Sequence, residues 1–187
     1  MSSAARSTVA PLAPDAFKAV MRTWATGVAV VTSRTAEGEV AARTANSFTS
    51  LSQSPPLVSW CPDVDSVSYD THATAEVFGV SILAADQVEL CWHFASSGGD
   101  KFAGVVTTQG PLGTPLIAGA AAHIECHVWA RYPGGDHLIV VGEVQHLQKH
   151  HDNVLVMVEG RPSETSAAAA SSVSASSHKD SSHKEPS

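Results

Sequence analysis

Between residues 44 and 58 the chain reads TANSFTSLSQSPPLV, which sets five hydroxyls (Ser47, Thr49, Ser50, Ser52, Ser54) and the amide of Asn46 around Phe48 and Leu51. Small residues let a ligand come close to the backbone, and hydroxyl, amide and main-chain groups supply hydrogen bonds. Such a surface suits a ligand that is both flat and polar. The same residue types also serve strand ends and turns, so the stretch alone decides nothing. A second candidate is His137, which Gly134-Gly135-Asp136 delivers from a tight turn into an apolar strand. An imidazole fixed in that way can orient a ligand or move a proton. A third is the alternation His123, Glu125, His127, followed by His146, His150 and His151. In a strand the first three share one face and have the donor types of a zinc or iron site. Cys126 points the other way and no second ligand cluster has diagnostic spacing. The expectation is a solvated outer strand face and no metal.

Few helices are available to position these groups. PDAFKAVMRTWA places Phe17, Val20, Met21 and Trp24 at helical spacing, with Pro14 suited to the first turn. A second short helix is expected over 86–95, with Val88, Leu90, Cys91 and Phe94 apolar, and a third within 66–75. The remainder reads as seven strands, at 27–34, 39–48, 56–61, 76–83, 121–131, 136–147 and 153–159, punctuated by Gly and Pro. Seven strands with few helices favour a mainly β closed barrel over a parallel sheet, because regular β–α alternation is missing. No GxGxxG or GxxxxGK motif occurs, which argues against a helix-opening nucleotide loop.

The chain has 187 residues, enough for one domain with a sizeable core, and 43% of them are hydrophobic. A net charge of −7 without any Lys/Arg cluster argues against nucleic acid and anionic membrane partners. No segment has the apolar run of a signal peptide or a membrane span. Cys61, Cys91 and Cys126 are widely spaced in apolar contexts and read as reduced thiols of a cytoplasmic protein. From Ser163 onward ten serines fall in 25 residues, and beyond alanine only Val173 is apolar. That composition predicts a disordered Ser/Ala/His-rich tail over 163–187. Residues 1–13 are expected to be flexible, which leaves a folded domain over 14–162.

Five blocks follow one another in fixed order: TGVAVVT, TANSFTSLSQSPPLV, VFGVSILAADQ, HFASSGGDKFAG and GDHLIVVGEV. The series resembles the short-chain flavin reductases of two-component monooxygenases, whose fold is the FMN-binding split barrel, and it runs from about Phe17 to Gly160. The resemblance implies a split β-barrel of Greek-key type and a site for FMN or FAD, with NADH or NADPH as hydride donor. Thr44, Ala45, Asn46 and Ser47 match the segment along the isoalloxazine, and Ser50, Leu51 and Ser52 the segment beside it. Cys61 to Val67 match the loop that takes the ribityl phosphate, with Ser66 the best hydroxyl donor. Phe94, Ala95 and Lys101 match the stretch that closes over the cofactor, and His137 matches the histidine where nicotinamide docks. The implied assembly is a homodimer that hands reduced flavin to a separate flavin-dependent oxygenase.

Several positions depart from the family pattern. Ala42-Arg43 stands for the usual Gly-Met, Gly79 for Ala and Ser81 for Asn. Trp60 stands where a smaller aliphatic is common, and the last strand, VLVMVEGRP, lacks the usual Pro and aromatics. The phosphate loop has no Lys or Arg and carries Asp63 and Asp65 instead. Two carboxylates there predict that phosphate adds little to flavin affinity unless a cation such as Arg43 reaches round. These departures keep a second reading open. It is a diverged split-barrel protein without reductase activity, acting as an accessory planar-ligand binder or as a non-redox biosynthetic enzyme.

Overall fold

A computed structural model describes residues 12–164. In chain order the elements are α1 (Pro14–Met21), β1 (Thr26–Gly27), β2 (Ala29–Arg34), β3 (Val40–Ala45), β4 (Thr49–Gln53) and β5 (Pro56–Trp60). Then come α2 (Tyr69–Thr74), β6 (Val77–Ile82), α3 (Val88–Ala95), β7 (Thr107–Gln109) and β8 (Pro115–Ile117). Two long strands, β9 (Ala122–Gly134) and β10 (His137–Lys149), are followed by β11 (Leu155–Val158) and β12 (Arg161–Glu164).

Seven strands form one antiparallel sheet in the order β3-β2-β6-β9-β10-β5-β4. Its edges, β3 and β4, are consecutive in sequence and joined only by Asn46, Ser47 and Phe48. A flat sheet of this size would separate its edges by about 29 Å. The four Cα steps from Ala45 to Thr49 reach at most about 15 Å. The sheet must therefore curl into a barrel, and because β3 and β4 do not pair, the barrel is split at that seam.

The apolar run of β2 shows how the core is made. Ala29 and Val31 face the barrel interior with Ala45, Val58, Trp60, Phe78, Val80, Cys126 and Val140. Val28 and Val30 face a second cluster with Leu83, Cys91, Phe94, Ile117 and Leu155, where α3 packs. Both faces of the first half of β2 are covered, so residues 28–31 are continuously apolar instead of alternating.

Several expectations need correction. Residues 49–53 form a strand, and β7, β8 and β12 add three more short ones. The segment 49–53, β7 and β12 are mostly polar and exposed, without the apolar alternation that marks a half-buried strand, and β8 is buried but only three residues long. The expected tail boundary at Ser163 falls inside β12, where Ser163 and Glu164 pair with Val156 and Leu155. The remainder of the tail, and the flexible segment expected before residue 12, lie outside the described residues. The face of His123, Glu125 and His127 is not a solvated one along its length, because the β7–β8 hairpin covers Glu125 and leaves it 1% exposed. The Glu125 carboxylate accepts from the Thr114 hydroxyl at 2.7 Å and from the Leu112 and Thr114 amides. A carboxylate spent in this way ties down the hairpin turn. Gly79 and Ser81 have the same purpose. Ile117 N donates to Ser81 Oγ at 2.9 Å, and a Cβ at Gly79 would lie 2.8 Å from Leu116 and collide with Thr114.

Candidate functional site

The seam holds a cavity of about 160 Å³ lined by Arg43, Thr44, Ala45, Asn46, Ser47, Trp60, Cys61, Pro62, Asp63 and His137. Three elements that are distant in sequence meet there: the end of β3, the end of β5 and the start of β10. Ser47 clasps the seam, its Oγ accepting from Cys61 N at 3.0 Å. The Thr44 hydroxyl donates to the Cys91 carbonyl at 2.6 Å and so fixes α3 against β3. Two of the hydroxyls noted in the sequence therefore hold the cavity's shape. The amide of Asn46 is exposed and has no hydrogen bond to other described residues, so its donors and acceptor remain available.

His137 is fixed from both sides. Its Nδ1 lies 2.8 Å from Asp136 Oδ1, and an isolated antiparallel bridge joins its backbone to Asp63. A proton held on Nδ1 by that carboxylate leaves Nε2 as the acceptor of the neutral ring. The hydrogen bond from His137 also holds the Asp136 carboxyl below its ordinary range. Cys61 shares this cavity, but burial pushes its thiol up, with a smaller opposing effect from Ser47. Burial, and secondarily Glu125, push Cys126 up to about 12. Neither sulfur is a thiolate nucleophile at neutral pH.

Arg43 also lines a second cavity of about 360 Å³, walled by Val40–Arg43, Ser66–Ser68, Thr71 and residues 96–102. This volume is in the range of small-molecule sites. Lys101 lies in its wall and caps α3, with Nζ donating to His93 O, Ser96 O and Ser96 Oγ at 3.1, 2.7 and 2.8 Å. The structure thus gathers Thr44–Ser47, Cys61 and His137 at one cavity and Ser66, Val67 and Lys101 at the other. Ser50, Leu51 and Ser52 lie on β4 outside both cavities. Phe94 is fully buried against Phe102, and half-buried Ala95 ends α3 without lining either space. Trp60 contributes to the ring-side wall from within the core. Nothing in the sequence marks Ser68, Thr71, Ser96 and Ser97 as joining a cavity, because each reads as turn or helix-end chemistry. Asp136 was detectable only as the neighbour of His137.

Residues 21–166 match the family described as flavin reductase like domain. The chain belongs to that family. It is 38% identical to a flavin reductase of Pseudomonas putida over 148 residues, 79% of this chain and 87% of that protein. It is 37% identical over 136 residues to HsaB, the reductase subunit of a flavin-dependent monooxygenase from Rhodococcus jostii (strain RHA1), covering 73% and 69% of the two chains. A solved structure of the NADH:FAD oxidoreductase SgcE6 from Streptomyces globisporus C-1027, in complex with NAD and FAD fragments, superposes with a TM-score of 0.77. The sequences are 36% identical, and the match covers 85% of this chain and 98% of that one. The flavin reductase fold is therefore shared over nearly all the described residues, the seam included.

Proposed function

We propose that this protein is an NAD(P)H:flavin oxidoreductase that delivers reduced FMN or FAD to a separate flavin-dependent oxygenase. The observation that carries the reading is the seam cavity, where the open Asn46 amide faces the same space as a histidine fixed by Asp136. The donor set fits a flavin, since the unpaired groups of Asn46 and Arg43 can meet its polar edge and arm while Ala45 allows close approach. Bound there, flavin supplies the hydride-accepting ring, and the chain's own contribution is orientation. Thr44, Ala45, Asn46 and Ser47 form the wall for the ring. His137 positions the nicotinamide and holds a proton at its imidazole. Ser66, Val67 and Lys101 border the arm. Gly79 and Ser81, two departures from the family pattern, serve the β7–β8 hairpin and line neither cavity.

The active form is a homodimer, supported by an apolar stripe on α1 that no other described element covers. A cytoplasmic location fits the use of NAD(P)H and three free cysteines. The test is NADH and NADPH oxidation with added FMN, FAD or riboflavin. Flavin-dependent turnover is expected, and His137→Ala should raise the KM for the nicotinamide more than it changes flavin affinity. Absence of turnover with every flavin and nicotinamide pair would overturn the reading in favour of the non-reductase alternative.

A further inference from the structure

The cations near the two cavities differ in what they are bonded to. Lys101 has three neutral acceptors, Arg34 donates to Gly113 O at 2.8 Å, and Arg131 donates to Ala75 O. Arg43 is half-buried, makes no hydrogen bond or ion pair with any described residue, and lines both cavities. A partly desolvated guanidinium with no acceptor is unfavourable, and an anion within reach relieves it.

The larger cavity's wall indicates which anion. Ser66, Ser68 and Thr71 present hydroxyls there, and Ser66 Oγ and Ser68 Oγ share one hydrogen bond at 3.1 Å, leaving one of their protons to give. Lys101 adds a second positive charge. The opposing charge in the wall is Asp100, whose Oδ1 accepts from Phe102 N at 2.9 Å. The two carboxylates expected to repel a phosphate are elsewhere. Asp63 borders the smaller cavity with His137, and its Oδ1 accepts from Asp65 N at 2.8 Å, while Asp65 borders neither space.

We infer that Arg43 supplies the charge that pairs with the phosphate of a flavin arm in the larger cavity, and so selects phosphorylated flavin over riboflavin. This rests on the reductase reading and reverses the expectation from the acidic loop. Among the described residues, Arg43 is the one that lines both spaces.

Titration of riboflavin, FMN and FAD against the wild type and Arg43→Gln, read by flavin fluorescence, tests it. The wild type should bind FMN or FAD about tenfold or more tightly than riboflavin, the effect of one charge-assisted hydrogen bond. Arg43→Gln should lose that factor for the phosphorylated flavins and leave riboflavin unchanged, and Arg43→Lys should recover part of it. A larger loss for FMN than for FAD identifies the terminal phosphate, and the reverse identifies the diphosphate. Equal affinities for riboflavin and FMN in the wild type would overturn the inference, as would an equal loss for all three ligands in the variant. If the wild type binds no flavin, the reductase reading fails, and inorganic pyrophosphate then decides the anion site separately. Pyrophosphate should raise the thermal midpoint of the wild type and not of Arg43→Gln, and no effect on the wild type overturns the assignment.

Discussion

His72 shows how much a single side chain can be altered by its place in the fold. In the sequence it is one of ten histidines. In the structure it is 1% exposed, edge-on to Trp60 at 4.9 Å, with Nδ1 2.8 Å from Ser33 Oγ. Burial, and secondarily the charge of Arg43, lower its pKa from 6.5 to about 4. Between those values the unfolded chain binds a proton that the folded chain refuses. Stability is therefore whole above pH 6.5 and falls as pH drops toward 4, by about 3 kcal/mol in all. Thermal midpoints of the wild type should decline across that window, and those of His72→Gln should decline less steeply, the remainder coming in part from His123, whose pKa burial also lowers. An unchanged slope in the variant would mean that other groups cause the decline.

At the scale of elements, the β7–β8 hairpin is the part least visible in the sequence. Its strands are only three residues long, yet it covers one face of β6 and β9 and is held by Glu125, Ser81 and Thr32, whose Oγ1 donates to Pro115 O at 2.8 Å. Gly79 permits this close approach, since a Cβ there would lie 2.9 Å from Thr32 Oγ1 and 2.8 Å from Leu116. Gly79→Ala should cost about 1–3 kcal/mol in denaturant unfolding, because the overlap forces the hairpin outward. Hydrogen exchange in that variant should rise first at Gly110–Ile117. A neutral substitution would show that the hairpin yields at no cost. The strands that were legible, β2, β3, β5, β6, β9, β10 and β11, are those whose sequences carry apolar or β-branched residues between turn signals.

For the molecule as a whole, the feature left unresolved within one chain is α1. Phe17, Val20 and Met21 lie on its apolar stripe and Trp24 follows it, at 59, 67, 49 and 71% exposure. The spacing that predicts a helix also predicts a partner for its face, and no other described element provides one. Sedimentation should find a dimer at micromolar concentration, and Phe17→Asp with Trp24→Asp should shift it to monomer while near-ultraviolet dichroism stays native. A wild-type monomer under those conditions would remove the argument for a dimer.

The sequence by itself determined the fold class and the core strands, and it singled out Thr44–Ser47 and His137, which the structure brings to one cavity. Those signals are local: apolar periodicity, turn chemistry and short ordered motifs follow from neighbouring residues. Tertiary structure decided which hydroxyls are spent and which are open, because the partners of Thr44 and Ser47 are Cys91 and Cys61. It also decided the electrostatics of the larger cavity. Asp63 and Asp65 are adjacent to Ser66 in the chain, but the loop turns them away from the larger cavity and β3 brings Arg43 into it. Charge acts through space, and the separations that set it depend on how the seven-stranded sheet closes at its seam.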